Sequence, residues 1–270
     1  MEILALIFEF KLAASWQITR FLNQKDRSRY IYTKLRRMWQ FGLLESFKLF
    51  TGSLAGIPLY YILSKQGLKL LADHGLYEPS ELQAYPQPKT LLSWRLFEHE
   101  EQIVELASLE SLNKASNLSL IFKGEMSSKL LDYMNDKHIE VLTPDYAVVY
   151  KLAQVNQIIY TEFERTYKSH EAILNKVQRY YDFFSPQDNK KFILRLIFQT
   201  AGMEQAFWLN IFTNRPTLLR LNIVTTNITL ISEHKDFLQP IYASDSTVDL
   251  TKASHLKAEI SYRVKLFNFL

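Results

Sequence analysis

The chain has no cysteine, which excludes disulfides, thiol nucleophiles and cysteine-ligated zinc and agrees with a reducing compartment. Glycine is scarce, 7 among 270 residues, and none is spaced as GxxxxGK[ST] or GxGxxG, so phosphate-cradling nucleotide chemistry has no support. No GxSxG elbow occurs either, although six histidines leave a Ser-His-acid triad open on composition alone. Long apolar runs are absent, which argues against a membrane-spanning helix. The apolar start MEILALIFEFKLAAS is interrupted by Glu2, Glu9 and Lys11 and has no basic stretch before it. It therefore reads as a helix rather than a targeting segment. Neither an internal repeat nor a low-complexity tract is visible.

What the chain does have is apolar and aromatic residues, 47% and 14%, enough for packed cores. Its length suggests two domains, and its composition a helix-rich α+β protein. Basic residues number 32 against 28 acidic, a net charge of +4, with a pI near 9.0. So mild an excess permits a nucleic-acid partner without requiring one, and where the charge is concentrated matters more.

That concentration lies between Lys25 and Arg37, where six basic residues face the single acid Asp26. The spacing predicts a helix over 27–40 with Ile31, Leu35 and Met38 on its buried stripe. Arg27, Arg29, Tyr30, Lys34, Arg36 and Arg37 are the candidate DNA-binding residues, since a helix laid along DNA needs such a cationic face. The bland alternative is a solvated charged face. A preceding helix capped by Ser15, with Trp16, Ile18, Phe21 and Leu22, and the turn 23–26 complete a helix-turn-helix. After Gly42 the pattern changes to two strands, 43–50 and 59–63, around the turn 51–58, which together form a wing. Ser64 then caps a short helix. Residues 1–75 thus read as a winged helix-turn-helix domain.

Three of the eight prolines, Pro79, Pro86 and Pro88, fall in 76–90, which predicts an extended linker. A second, α/β domain is expected over 91–270. It opens on an amphipathic helix over 91–112, in which Glu98, His99, Glu100 and Glu101 lack the HExxH arrangement of a metal site. A strand over 118–122 and a helix over 127–135 follow. The stretch 139–184 predicts a strand carrying Pro144-Asp145, a strand over 157–164 and a helix over 169–184 with Ile173, Val177, Tyr180 or Tyr181, and Phe184 inward. Further strands are expected near 192–198 and 219–226 and a short helix over 227–238. The stretch 241–270 ends either in a last strand or in a partner-docking tail.

Adjacent strands carrying carboxylates, followed by a helix bringing lysine, form the skeleton on which nucleases hold a divalent cation and activate water. Asp145 and Glu162 are the candidate metal ligands. Glu164 shares the face of Glu162 under strand alternation, and Asp145, Glu162, Glu164 and Lys176 are the candidate catalytic set.

The order of these segments, with LYYILSKQGLKLL, WRLFEHEEQIVELA, TPDYAVVY and IIYTEFERTYKSHEAILNKVQRYYDFF, resembles the replication-relaxation family of plasmid and mobile-element proteins. The second half is similar to the PD-(D/E)XK nuclease-like core. The resemblance covers about 16–226. It implies a cytoplasmic protein acting on double-stranded DNA in replication, relaxation or mobilisation, using Mg2+ or Mn2+ if the nuclease-like site is active. The motif asks for lysine two positions after the second acid, and Glu164 stands there, with Lys168 and Lys176 further on. Three readings follow: an active nuclease or nickase with a displaced lysine, an inactive core kept for DNA or protein binding, and an unrelated α/β domain. A transcriptional regulator or scaffold recruiting a replication or transfer protein is a further alternative. Homodimerisation is expected through Ile3, Leu6, Ile7 and Phe10.

Overall fold

The computed structural model describes residues 1–23, 27–48, 59–91, 93–113, 118–126, 142–152, 155–166, 169–184, 192–235, 237, 241–244, 248–254 and 257–260. The expected turn residues 24–26, the last two residues of the strand expected over 43–50, the whole turn 51–58, the helix over 127–135, Lys168 and the closing 261–270 lie outside these residues. Contacts divide this mixed α+β chain into two units, Met1–Leu112 with Lys123–Ser128 and Asn113–Phe122 with Lys129–Leu270.

The first unit runs α1 (Glu2–Phe10), β1 (Ala13–Ala14), α2 (Ser15–Asn23), α3 (Arg29–Gln40), β2 (Leu44–Lys48), β3 (Leu59–Leu63), α4 (Lys65–Asp73), α5 (Pro79–Gln83), α6 (Pro88–Leu91) and α7 (Trp94–Glu110). α1 carries Ile3, Leu4, Ile7, Phe8 and Phe10 into the core. Three of the residues expected to form a dimer interface, Ile3, Ile7 and Phe10, are therefore already spent within the unit. β2 and β3 pair antiparallel from Leu44↔Leu63 to Lys48↔Leu59. β1 adds to the free edge of β3, giving the order β1-β3-β2. Gly42 ends α3 at φ +68, a left-handed position that a side chain would strain. Ser64 caps α4 by accepting from Gly67 N at 3.1 Å.

The segment 76–90 departs from the extended linker expected of it. Proline is tolerated in the first turn of a helix; Pro79 opens α5, where Glu78 and Glu81 form a capping box, and Pro88 opens α6. Between them Tyr85 is buried, its hydroxyl donating to the Lys11 carbonyl and accepting from Leu63 N. α7, expected to open the second domain, packs on α2 instead. Its buried Phe97, Ile103, Val104, Leu106 and Ala107 belong to the first unit. A polar seam runs along this contact. Glu105 accepts from Trp16 Nε1 at 3.1 Å, Gln17 Nε2 at 3.1 Å and Arg20 Nη1 at 2.6 Å. Glu100 pairs with the buried Lys11 at 2.6 Å. Two of the acids of 98–101, Glu100 and Glu101, are thus taken up in packing α7 against its own unit.

The second unit is built on one five-stranded sheet, ordered β4 (Leu118–Gly124), β5 (Tyr146–Leu152), β6 (Val155–Glu164), β7 (Phe192–Phe198), β8 (Ile223–Asn227). β5 and β6 are antiparallel, and β6, β7 and β8 run parallel. The parallel connections need crossovers, supplied by α8 (His170–Phe184) and α9 (Ala201–Asn214). Every residue of β7 is buried, as befits a strand covered on both faces. Phe192, Leu194, Leu196 and Phe198 join Ile173, Val177 and Tyr180 of α8 and Phe207, Trp208 and Ile211 of α9 in one cluster. On the opposite face Arg195 is fully buried, donating to Thr161 Oγ1 at 2.8 Å and Tyr146 OH at 2.9 Å, with its guanidinium 5.2 Å from the Phe237 ring. The strand expected over 219–226 is shorter, because Pro216–Arg220 forms a 3-10 helix ahead of it. α10 (Ile228–His234) and an antiparallel pair, β9 (Val248–Ser254) and β10 (Lys257–Ile260), close the unit, both strands packing on α9.

Candidate functional site

Two constellations carry chemistry, one in each unit. The first is the outer surface of α3. Ser28, in extended conformation, caps the helix through an Ile31 N–H bond of 3.4 Å. Arg27 stands exposed just before it. Ile31 and Leu35 are buried and Met38 is half-buried, as the spacing predicts. Arg29, Tyr30, Arg36 and Arg37 are exposed, and Lys34 is half-buried with its ammonium 5.5 Å from the Tyr30 ring centre. Arg29, Tyr30, Thr33, Lys34 and Arg37 line a concavity of about 540 Å³. Four of the six expected DNA-contacting residues therefore share one concavity, and Arg27 and Arg36 border it in sequence.

The sequence reading took in Tyr30 and missed the other aromatics. Among the described residues seven large apolar side chains are exposed, and four of them, Tyr30 (66%), Tyr32 (41%), Trp39 (50%) and Phe41 (71%), belong to α3 or its C-cap. Among the described residues no other Phe, Tyr or Trp is exposed, and a cationic helix that leaves four large apolar rings in water has the composition of a contact surface rather than of a solvated face. The seven-residue interval from Tyr32 to Trp39 was the available signal, since it places both on one side of a helix.

The second constellation sits where β5 begins and β6 ends. Pro144 and Asp145 lie just before β5 rather than within it. One carboxylate oxygen of Asp145 accepts from Phe163 N at 2.6 Å. Glu162 and Glu164 share the face of β6 that α8 covers, as alternation requires. From α8 Lys176 donates to Glu162 Oε2 at 2.8 Å and to Glu164 Oε1 at 2.5 Å. One turn further, Tyr180 donates to Glu162 Oε1 at 2.6 Å. Lys176 and Tyr180 are four apart and so lie on one helical face; the sequence reading placed Tyr180 in the core stripe and left its hydroxyl without a role.

Burial is the main cause that pushes Glu162 up to about 7, and the charge of Asp145 adds to it; Lys176 and Tyr180 pull the other way. Burial alone would lower Lys176, but the carboxylates of Glu162, Glu164 and Asp145 overcome it and hold the ammonium above the usual lysine range. Burial, reinforced by Glu162, raises Tyr180 well above the ordinary phenol value. The neutralising cation for the two glutamates is thus a lysine of the chain itself.

A divalent cation would need several of these carboxylates to converge. Among the described residues no three Asp, Glu or His side chains form a group that could hold a metal ion. Of the two expected ligands, Asp145 accepts from Phe163 N through one oxygen, and both oxygens of Glu162 are taken up by Lys176 and Tyr180. The residues as folded do not fit Mg2+ or Mn2+.

Among the described residues no helix is long and apolar enough to cross a membrane. No curated protein and no solved structure matches the chain. One family model does, that of replication-relaxation, over residues 4–196; the match takes in both α3 and the carboxylate cluster.

Proposed function

The chain belongs to the replication-relaxation family, and from that membership we propose that it is a double-stranded DNA-binding protein of a plasmid or mobile element, acting in replication, relaxation or mobilisation. The observation that carries the reading is α3, whose outward side gathers Arg29, Lys34 and Arg37 around a concavity and leaves Arg36 exposed beside them in sequence. The order α1-β1-α2-α3-β2-β3 supports a winged helix, in which α3 is the helix offered to the major groove and β2 and β3 form the wing. Mobility-shift titration on linear duplex tests it. The full chain is expected to bind, and Lys34→Ala with Arg36→Ala and Arg37→Ala is expected to lose most of that affinity; an unchanged titration would remove α3 from the interface.

The second unit is read as a PD-(D/E)XK-like core without catalysis. Support for the core comes from β5 and β6, the crossover helix α8 and the parallel strand β7, with Asp145 and Glu162 where that core carries its acids. Support for inactivity comes from Glu164, which stands where the motif asks for lysine, while Lys176 of α8 is held by both glutamates. On this reading the second unit serves DNA or protein binding, in the cytoplasm, and recruits a replication or transfer protein. Homodimerisation on a palindromic site belongs to the same reading, through a surface other than the buried stripe of α1.

A further inference from the structure

The exposed rings of α3 are arranged in a way that duplex binding alone leaves unused. At about 100° per residue, Arg36, Arg29, Gln40, Thr33 and Arg37 follow one another across the outer crest of the helix. Tyr30 and Phe41 fall on one flank of that crest, and Tyr32 and Trp39 on the other, beside the buried stripe. Each flank therefore carries two rings, about 16 Å apart on the first and about 10 Å on the second. All four are 41–71% exposed.

A helix seated in a major groove offers its crest to the base edges, and its flanks meet the sugar-phosphate walls. Rings on the flanks bury little against phosphate, and the faces of paired bases are already covered by their neighbours. Unpaired bases have free faces. A cationic track with aromatic rings beside it is the composition by which proteins hold single strands, the cations following the backbone and the rings stacking on bases.

We propose that α3 also binds unpaired DNA, with Trp39 and Tyr32 as one stacking platform, Tyr30 and Phe41 as the other, and Arg29, Arg36 and Arg37 along the phosphate track between them. This rests on the reading of α3 as a DNA-contacting helix and gives it a second substrate, the melted strand. Such a surface engages duplex through its crest and holds a strand once bases are opened. A base stacked on Trp39 quenches its fluorescence.

The test is fluorescence anisotropy of the full chain on an oligo(dT) strand and on a duplex of equal length, with tryptophan quenching followed in parallel. The wild type is expected to bind both and to be quenched by oligo(dT). Trp39→Ala is expected to weaken single-strand binding roughly tenfold, to abolish the quench and to change duplex affinity less than about threefold. Trp39→Phe keeps a ring and is expected to retain single-strand binding while losing the signal; Phe41→Ala probes the other flank. Both positions are exposed, and a melting curve for each variant separates lost contact from lost fold. Duplex binding without oligo(dT) binding overturns the proposal and leaves the DNA-binding reading standing. Failure to bind either overturns both. Oligo(dT) binding that ignores Trp39→Ala and Phe41→Ala overturns the stacking platform, as does a concentration-dependent self-association that alone responds to Trp39→Ala.

Discussion

Replacing Lys176 by methionine keeps the aliphatic stem of the side chain and removes its ammonium. Nζ lies 2.8 Å from Glu162 and 2.5 Å from Glu164, whose side chains are 5% and 0% exposed, while that of Lys176 is 24% exposed. The variant leaves two buried carboxylates, with Tyr180 still donating to Glu162. Removing one partner of a buried pair costs about 3–5 kcal/mol. Partial solvent access to Lys176 and the ease of protonating Glu162 place the loss at the lower end, about 3 kcal/mol, or roughly 10 °C in melting temperature for a unit of this size. The pH dependence follows from Glu162, whose folded value near 7 lies above the ordinary 4.5. A carboxyl raised on folding contributes stability that is present below its unfolded value and is lost as pH rises through the folded one. Without the ammonium the folded value climbs further, so the penalty should shrink toward pH 5 and grow toward pH 8. Urea denaturation at both pH values, read through the buried Trp208, measures it. A loss below about 1 kcal/mol, or a penalty equal at the two pH values, would refute the claim that Lys176 neutralises this cluster. In a double-mutant cycle, adding Glu164→Gln should recover part of the loss.

Glu101 in the first unit is raised to about 7, by burial first and the charge of Glu105 next, against a hydrogen bond from Tyr60. Its contribution to stability is therefore lost as pH climbs from about 4.5 through 7, and Glu101→Gln should stabilise the first unit by about 1–2 kcal/mol at pH 8 and flatten that slope. A variant with the wild-type pH profile would count against the raised titration of Glu101. Because Lys176 and Tyr180 take up both carboxylate oxygens of Glu162, neither Mg2+ nor Mn2+ should provoke nicking of supercoiled plasmid. Metal-dependent nicking that Asp145→Asn abolishes would restore the nuclease reading.

Patterns with a single period could be read from the chain directly. Glu162 and Glu164 fall on one face of β6 because strand alternation leaves no other choice, and Ile31 and Leu35 mark the buried side of α3 for the corresponding helical reason. β1 was invisible because two residues, Ala13 and Ala14, are too few to show alternation; only the free edge of β3 makes them a strand. The prolines of 76–90 suggested extension, yet Pro79 and Pro88 open helices, where a missing N–H costs nothing. α7 was read as the start of a new domain because amphipathicity shows that a helix packs without showing against what. Its partner, α2, lies some 80 residues earlier in the chain. Tyr180 looked like core because its ring is core, and its hydroxyl finds Glu162 only after α8 folds over β6. Tyr32, Trp39 and Phe41 escaped notice because a search for charge does not weigh what stays exposed.

The central claim is that the cationic side chains of α3 meet DNA, and the dependence of duplex affinity on salt tests it most directly. Plotted as log K against log[salt], binding is expected to be linear, with a slope of about −0.9 per phosphate neutralised. Lys34→Ala with Arg36→Ala and Arg37→Ala should make that slope shallower by roughly 2 to 3, while the melting temperature of the protein holds. A slope that the three substitutions leave unchanged, or an affinity that ignores salt altogether, would contradict the account.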